Sequence, residues 1–452
     1  MKKLSLLLLA TMLVLSACKS KDDKKKVDQP VELVDIKNPT VKIQKVWGAS
    51  VGGGGKKLRL GLGLAKAGDR LFAAGADGEV AAFNLQTGKQ LWRTKTKMDL
   101  TGGTGASLDL VAVGSADGQV LALSASEGKE LWRADVKGEI LSAPAVSLKE
   151  VVVRTVDGRL RALNVSDGAE LWSTEQQIPR LTLRGAAAPV IAHDMAVSGF
   201  DNGRVVAVNM ADGATVWDAP VSPSHGRTEL ERLNDIDAAV KVVDQEVYVA
   251  GFQGRAAMLA IDNGQVWWTR EVSSYRGVDV DDDQMYVSTS EGDLVALKRR
   301  TGTEVWRDSS LKHRGLSAPA VVGDYVVVAD LDGYVHWFDR ITGTIAGRAK
   351  SGGSRVTNAP LVAEGTLYLL NDKGELTAMR GQPIAARAAK AAPTPAPAPE
   401  ATPAPDAAPA PGGGRCPRPL VSRRSSNAAG RRDRGAAERR QVHAVQHADP
   451  DA

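Results

Sequence analysis

Cysteine is almost absent from this chain: Cys18 and Cys416 are the only two in 452 residues. A framework of disulfides is therefore excluded as the source of its stability. Aromatic residues make up only 4%, and nine of them are tryptophan, against six tyrosines and five phenylalanines. Histidine is also scarce. His193, His225, His313 and His336 fall in different repeats with no metal-ligand spacing, and His443 and His447 lie in the C-terminal tail. The chain has no Cys-x-x-Cys-His haem site and no Gly-x-Ser-x-Gly nucleophile elbow. Gly52-Gly53-Gly54-Gly55-Lys56-Lys57 lacks the spacing and the Ser/Thr of a phosphate loop and reads as a link. Asp279, Asp281, Asp282 and Asp283 form an acidic turn without the alternation or distal Glu of an EF-hand. No catalytic residue, metal or cofactor is assigned on these grounds. Long helical stripes are missing too, because glycine recurs inside every segment.

What is present is a period. Eight times, roughly forty residues apart, the chain repeats an apolar strand, an Asp-Gly-like turn, an apolar strand, a glycine turn and a tryptophan. Asp77-Gly78…Gly88…Trp92, Asp117-Gly118…Gly128…Trp132 and Asp157-Gly158…Gly168…Trp172 are consecutive examples. Gly203…Trp217, Gly254…Trp268 and Gly292…Trp306 continue the series. The seventh copy, from Asp332-Gly333, has Gly347 in the tryptophan position, and the eighth, from Asp372, breaks off near Gly381. Each repeat holds about four short strands; in the third they are expected at Ala143–Val146, Val151–Thr155, Arg159–Asn164 and Ala169–Ser173. One such sheet cannot bury both faces, whereas a ring of them can. The expected fold is all-β: an eight-bladed propeller of four-stranded antiparallel blades over residues 41–381. Trp47 has no preceding strands, and the last repeat lacks its tryptophan strand. Residues 41–49 should therefore supply the final outer strand and close the ring.

The ends differ in character. Met1-Lys2-Lys3 and the mainly apolar run Leu4–Ala17 fit a secretory signal over residues 1–17, too short to span a bilayer. Residues 18–40 are polar and charged and read as a flexible tether. Residues 382–411 are rich in Ala and Pro and read as a linker. Residues 412–452 hold nine Arg against four Asp and Glu, so the whole net charge of +5 belongs to them. Three readings of that tail stand side by side: a basic arm, a disordered segment, or an out-of-frame stretch from GC-rich DNA.

Departures from the period mark candidate function. Trp92, Trp132 and Trp172 are forty apart, but Trp172 to Trp217 is forty-five and Trp217 to Trp268 is fifty-one. Both excesses fall between one blade's outer strand and the next blade's inner strand. Such connections share a face with the Asp-Gly turns, so the two enlarged loops should form one patch. It would hold Leu181 and Leu183 beside Arg180 and Arg184, with Asp235 and Asp237. Loops longer than a repeat requires are often functional, and exposed leucine beside fixed charge suits a protein contact.

Two resemblances follow. Leu163-Asn164-Val165-Ser166-Asp167-Gly168-Ala169-Glu170-Leu171-Trp172 resembles the tryptophan motif of quinoprotein dehydrogenases, which implies the scaffold; the adjacent-cysteine pair common in those enzymes is absent. A pyrroloquinoline-quinone oxidoreductase is the alternative reading. Leu15-Ser16-Ala17-Cys18 resembles the lipobox of bacterial lipoproteins, implying lipidation at Cys18, and Lys19 in place of Asp favours the outer membrane. Residues 1–381 together resemble the propeller lipoproteins of the outer-membrane β-barrel assembly (BAM) complex. Leu181-Thr182-Leu183-Arg184-Gly185 and Arg232-Leu233-Asn234-Asp235-Ile236-Asp237 are similar to that family's docking segments. The resemblance implies a non-enzymatic scaffold on the periplasmic side of the outer membrane. Leu181, Leu183, Arg184, Asp235 and Asp237 would contact the POTRA domains of the central barrel-assembly subunit. Nascent outer-membrane proteins are further implied partners; nucleic acid is not expected.

Overall fold

The computed structural model describes residues 29–53, 61–183, 185–223 and 227–384. The signal segment, Cys18, Arg184, Ser224 to Gly226, most of the Ala/Pro stretch and the basic tail lie outside the described residues. Among the described residues, thirty-two strands form eight four-stranded antiparallel sheets. Blades 1 to 7 are each continuous in sequence: residues 65–95, 100–135, 145–175, 190–220, 241–271, 278–308 and 320–350. Blade 8 takes three strands from residues 361–383 and its outer strand from Val41–Ser50. That strand pairs antiparallel with Glu375–Pro383 from Val41 opposite Pro383 to Ser50 opposite Glu375, which is the ring closure expected from the orphan Trp47. In blade 3 the strands are Ala145–Val146, Glu150–Arg154, Arg159–Asn164 and Glu170–Glu175, close to the expected bounds.

The core lies between neighbouring blades. Trp132, for example, packs among Leu110 and Ala112 of its own blade and Val151, Val153 and Leu163 of the next. Each inward-facing outer-strand tryptophan also donates its indole N–H to a backbone carbonyl of the following blade: Trp47 to Leu85, Trp92 to Ala125, Trp132 to Val165, Trp172 to Met210, Trp217 to Ile261, Trp268 to Arg299 and Trp306 to Arg340. The acceptor sits in the turn joining the third and fourth strands, and the glycine of that turn lies under the ring. A Cβ on Gly168 would fall 2.5 Å from Trp132, and its φ of +75° already favours glycine.

This explains the missing tryptophan of repeat seven. Blade 8 has no turn between its third and fourth strands, because the fourth comes from the N-terminal end of the ring. A tryptophan at position 347 would have no turn carbonyl or glycine to dock on. Instead Val41 packs over Gly347, and the fully buried Trp337, one strand further in, lies against Gly381.

The expectation of a free tether through residue 40 is corrected. Val31 donates its N–H to the Lys312 carbonyl at 3.1 Å and accepts from Arg314 Nη1 at 2.9 Å. Arg348 Nη1 donates to the Val34 carbonyl at 3.0 Å, and Thr40 N–H to the Ala346 carbonyl at 2.9 Å. Leu33 packs against the cluster containing Leu311 and Leu316. Polar composition gave no sign of this, because most of the bonds use the segment's backbone.

Candidate partner-docking site

Both enlarged connections lie on the rim that carries the Asp-Gly turns. In the first, the Gln177 carbonyl accepts from Asn202 Nδ2 at 2.8 Å, in the turn of blade 4. In the second, Val221 and Ser222 donate to the Gly203 carbonyl, and Ile236 N–H donates to the Phe200 carbonyl. The Asp235 carbonyl in turn accepts from Phe252 N–H in the turn of blade 5. The second loop is thus wedged between blades 4 and 5. The two insertions also touch: the Asp235 carboxylate accepts the Leu183 backbone N–H.

Within this arrangement Leu181 and Leu183 are 42% and 40% exposed. Asp235 is fully buried, which corrects the expectation that it stands on the open patch: its carboxylate holds the leucine loop from beneath. Asp237 is half-buried, and a Cβ at Gly185 would fall on its carboxylate, so a larger residue there would have to displace Asp237. Arg184 lies outside the described residues.

Sequence reading missed two residues beneath these loops. Arg154 is fully buried, bonds Asp201 at 2.8 Å and stacks 4.7 Å from the Phe200 ring centre. A signal existed: Arg154 ends its strand where the other blades have Ala74, Gly114, Gly199, Ala250, Ser288, Ala329 and Leu370. Oxygens of Asp201, Asp235 and Asp237 lie within 4.8 Å of one another. Burial raises the Asp235 carboxyl to about 6, helped by the charge of Asp201 and opposed by the Leu183 N–H. Burial, then the charges of Asp235 and Asp201, raises Asp237 to about 7. Arg154 is already the cation of this group, so three carboxylates alone do not argue for a metal. The acidic turn of blade 6 is likewise structural: Asp281 binds Arg340 at 2.9 Å and Asp279 binds Lys241 at 2.7 Å.

The same rim opens into a central cavity of about 520 Å³. Segments entering several blades line it, including Ser142, Leu183, Asp237, Phe252, Tyr275 and Arg276. Phe252 and Tyr275 meet edge to face at 6.1 Å. Arg276 lies over Tyr275 at 4.8 Å and donates to the Thr357 carbonyl at 3.3 Å. Pyrroloquinoline quinone is a tricarboxylate, and among the described residues the wall carries the carboxylate of Asp237 and one arginine, Arg276, that is already engaged, a lining that does not favour it.

Comparison with known proteins adds the following. The family profile described as "Outer membrane protein assembly factor BamB" matches residues 76–308 and 290–383. A protein of that name from Pseudomonas aeruginosa is 46% identical over 371 residues, 82% of this chain and 97% of its own length. Another from Yersinia pestis is 37% identical over 392 residues, 84% of this chain and 99% of its own. The crystal structure of BamB from Moraxella catarrhalis superimposes with a TM-score of 0.69 at 29% identity, covering 75% of this chain and 100% of that one. A quinohemoprotein alcohol dehydrogenase from Pseudomonas putida reaches a TM-score of 0.58 at 14% identity, covering 75% of this chain and 76% of that one; this is a likeness of fold alone.

Proposed function

Since this chain belongs to the BamB family of outer membrane protein assembly factors, we propose that it is a non-catalytic scaffold for inserting β-barrel proteins into the outer membrane. Lipidated at Cys18, it would face the periplasm and dock the POTRA domains of the central barrel-assembly subunit. The observation that carries the docking reading is the meeting of two enlarged loops on one rim, with Leu181 and Leu183 exposed above a buried carboxylate. In this reading the leucines fill an apolar contact and Arg184 adds charge beside them. Asp235 acts by holding the Leu183 backbone in place, and Asp237 by closing against Gly185. Buried apolar anchors carry most of the energy of such contacts, while rim charges set orientation and rate.

Capture of the assembly subunit by the purified protein tests this reading. Leu183→Glu and Arg184→Glu should each lose capture while the thermal melt stays unchanged. Undiminished capture by both would overturn the docking site. An intact mass of the mature protein checks acylation at Cys18 separately.

A further inference from the structure

The segment before the ring-closing strand is held mainly by polar bonds to its backbone. Val31 and Val34 are exposed, and Leu33 is only partly buried. Two arginines clamp it. Arg314 Nη1 donates to the Val31 carbonyl at 2.9 Å, and Arg348 Nη1 to the Val34 carbonyl at 3.0 Å. Both arginines converge on one pair of fully buried side chains, Asp330 and His336. Arg314 Nε donates to Asp330 Oδ2 at 2.7 Å, and Arg348 Nε donates to His336 Nδ1 at 3.1 Å. His336 Nε2 lies 3.1 Å from the same Asp330 oxygen. Arginine has donors only, so Nδ1 must accept and Nε2 must carry the hydrogen given to Asp330. The clamp therefore requires a neutral imidazole. His336 is also out of step with the repeat: the same register position holds Ala81, Leu121, Val206, Ala257 and Val295 in blades 1, 2, 4, 5 and 6.

We propose that His336 is a proton-operated latch on residues 29–39, holding Arg348 on the Val34 carbonyl when neutral and turning it away when protonated. The proton comes from solvent and binds Nδ1, where its N–H faces the Arg348 N–H and the two cations repel. Asp330 is then shared more closely with the imidazolium, which weakens its hold on Arg314 and on the Val31 carbonyl. The groups facing His336 are Asp330 from the preceding turn, Arg348 from the outer strand, Arg314 from the connection between blades 6 and 7, and Tyr334 from its own strand. Asp332 bonds Arg314 at 2.6 Å, Asp35 acts on Arg348, and Lys350 lies over Tyr334. Burial holds the imidazole below its ordinary 6.5, opposed by Asp330 and helped by the charges of Arg348 and Arg314. The proton thus favours the released arrangement, and the latch opens as pH falls. Residues 29–39, once freed, would reach at most about 40 Å further from the ring. The latch stands apart from the docking reading; only its effect on membrane reach rests on the anchor at Cys18.

The test is amide exchange in the full chain from about pH 4.5 to 7.5, corrected for the intrinsic pH dependence of exchange. Wild-type protection over residues 29–35 should fall roughly tenfold toward the acid end, with blades 1 to 3 unchanged. Arg348→Ala should be unprotected there at every pH. His336→Gln, whose amide can still give to Asp330 and accept from Arg348, should stay protected throughout. Wild-type protection that does not change with pH overturns the proposal. So does a His336→Gln profile that follows wild type, because carboxylates would then carry the transition. If His336→Gln does not fold, the ring nitrogens of wild-type His336, followed by NMR, decide: they should titrate together with loss of protection, and a ring still neutral when the segment loosens overturns the latch. An unacylated Cys18 by intact mass would remove the consequence for reach and leave these outcomes as they are.

Discussion

Asp235 and Asp237 tie residue chemistry to solution behaviour. Burial raises both carboxyls, to about 6 and about 7. A carboxyl raised on folding holds its proton more tightly in the folded chain than in the unfolded one. Its contribution is therefore present at acid pH and is lost as pH rises from the ordinary 3.8 through the folded value. Asparagine at position 237 carries no charge at any pH. Relative to wild type, Asp237→Asn should gain thermal stability between pH 5 and pH 8; a melting-temperature difference that stays constant or shrinks would speak against the buried charge. Gly168 is a second residue whose role is sharply defined. Alanine there meets Trp132 at 2.5 Å and is forced to a positive φ, so Gly168→Ala should lower the denaturation midpoint markedly. The same change at Gly353, where an added Cβ meets nothing within 4 Å, should be nearly silent.

At the scale of the element, the blade-to-blade join is the repeating unit. Removing a buried tryptophan such as Trp132 should cost about 3–5 kcal/mol, chiefly from lost packing. Trp132→Phe keeps much of the ring but loses the 2.8 Å bond to Val165, a smaller effect of about 0.5–1.5 kcal/mol. Urea titration of the two variants separates packing from hydrogen bonding; equal losses would mean the bond dominates. Each outer strand also bulges just before its inward tryptophan position. In blade 1, Phe83 pairs with Gln90 and Ala82 with Trp92, so Leu91 is the extra residue and turns outward, 44% exposed. Leu131, Leu171, Val216, Trp267 and Val305 repeat the pattern. A bulge breaks the regular row of edge hydrogen-bonding groups, which discourages sheet-to-sheet pairing between copies.

For the whole propeller, closure depends on one strand far away in sequence. Deleting residues 1–50 removes the partner of Glu375–Pro383 and the Trp47 contact to Leu85 together. Such a chain should unfold at lower temperature and with less cooperativity, by calorimetry, than one lacking residues 1–28 alone. The segment that precedes this strand is tied down in its turn. Arg348→Ala should speed amide exchange around residues 31–34 and leave exchange in blades 1 to 5 unchanged; equal rates in both proteins would mean that the segment is not held by this arginine.

The fold was legible because a propeller is written locally. The forty-residue period, the Asp-Gly turns and the glycine-to-tryptophan spacing each restate the same blade, and the orphan Trp47 could belong only to an unfinished one. The positions of the two enlarged loops followed from counting residues, since an up-and-down blade leaves one choice of rim. Burial of Asp235, its pairing with the Leu183 backbone, the Arg154–Asp201 pair beneath, the docked residues 31–40 and the central cavity came only with the tertiary structure. Each joins groups far apart in the chain, several through backbone atoms that every residue shares, and no composition or spacing records which distant carbonyl or carboxylate will meet them.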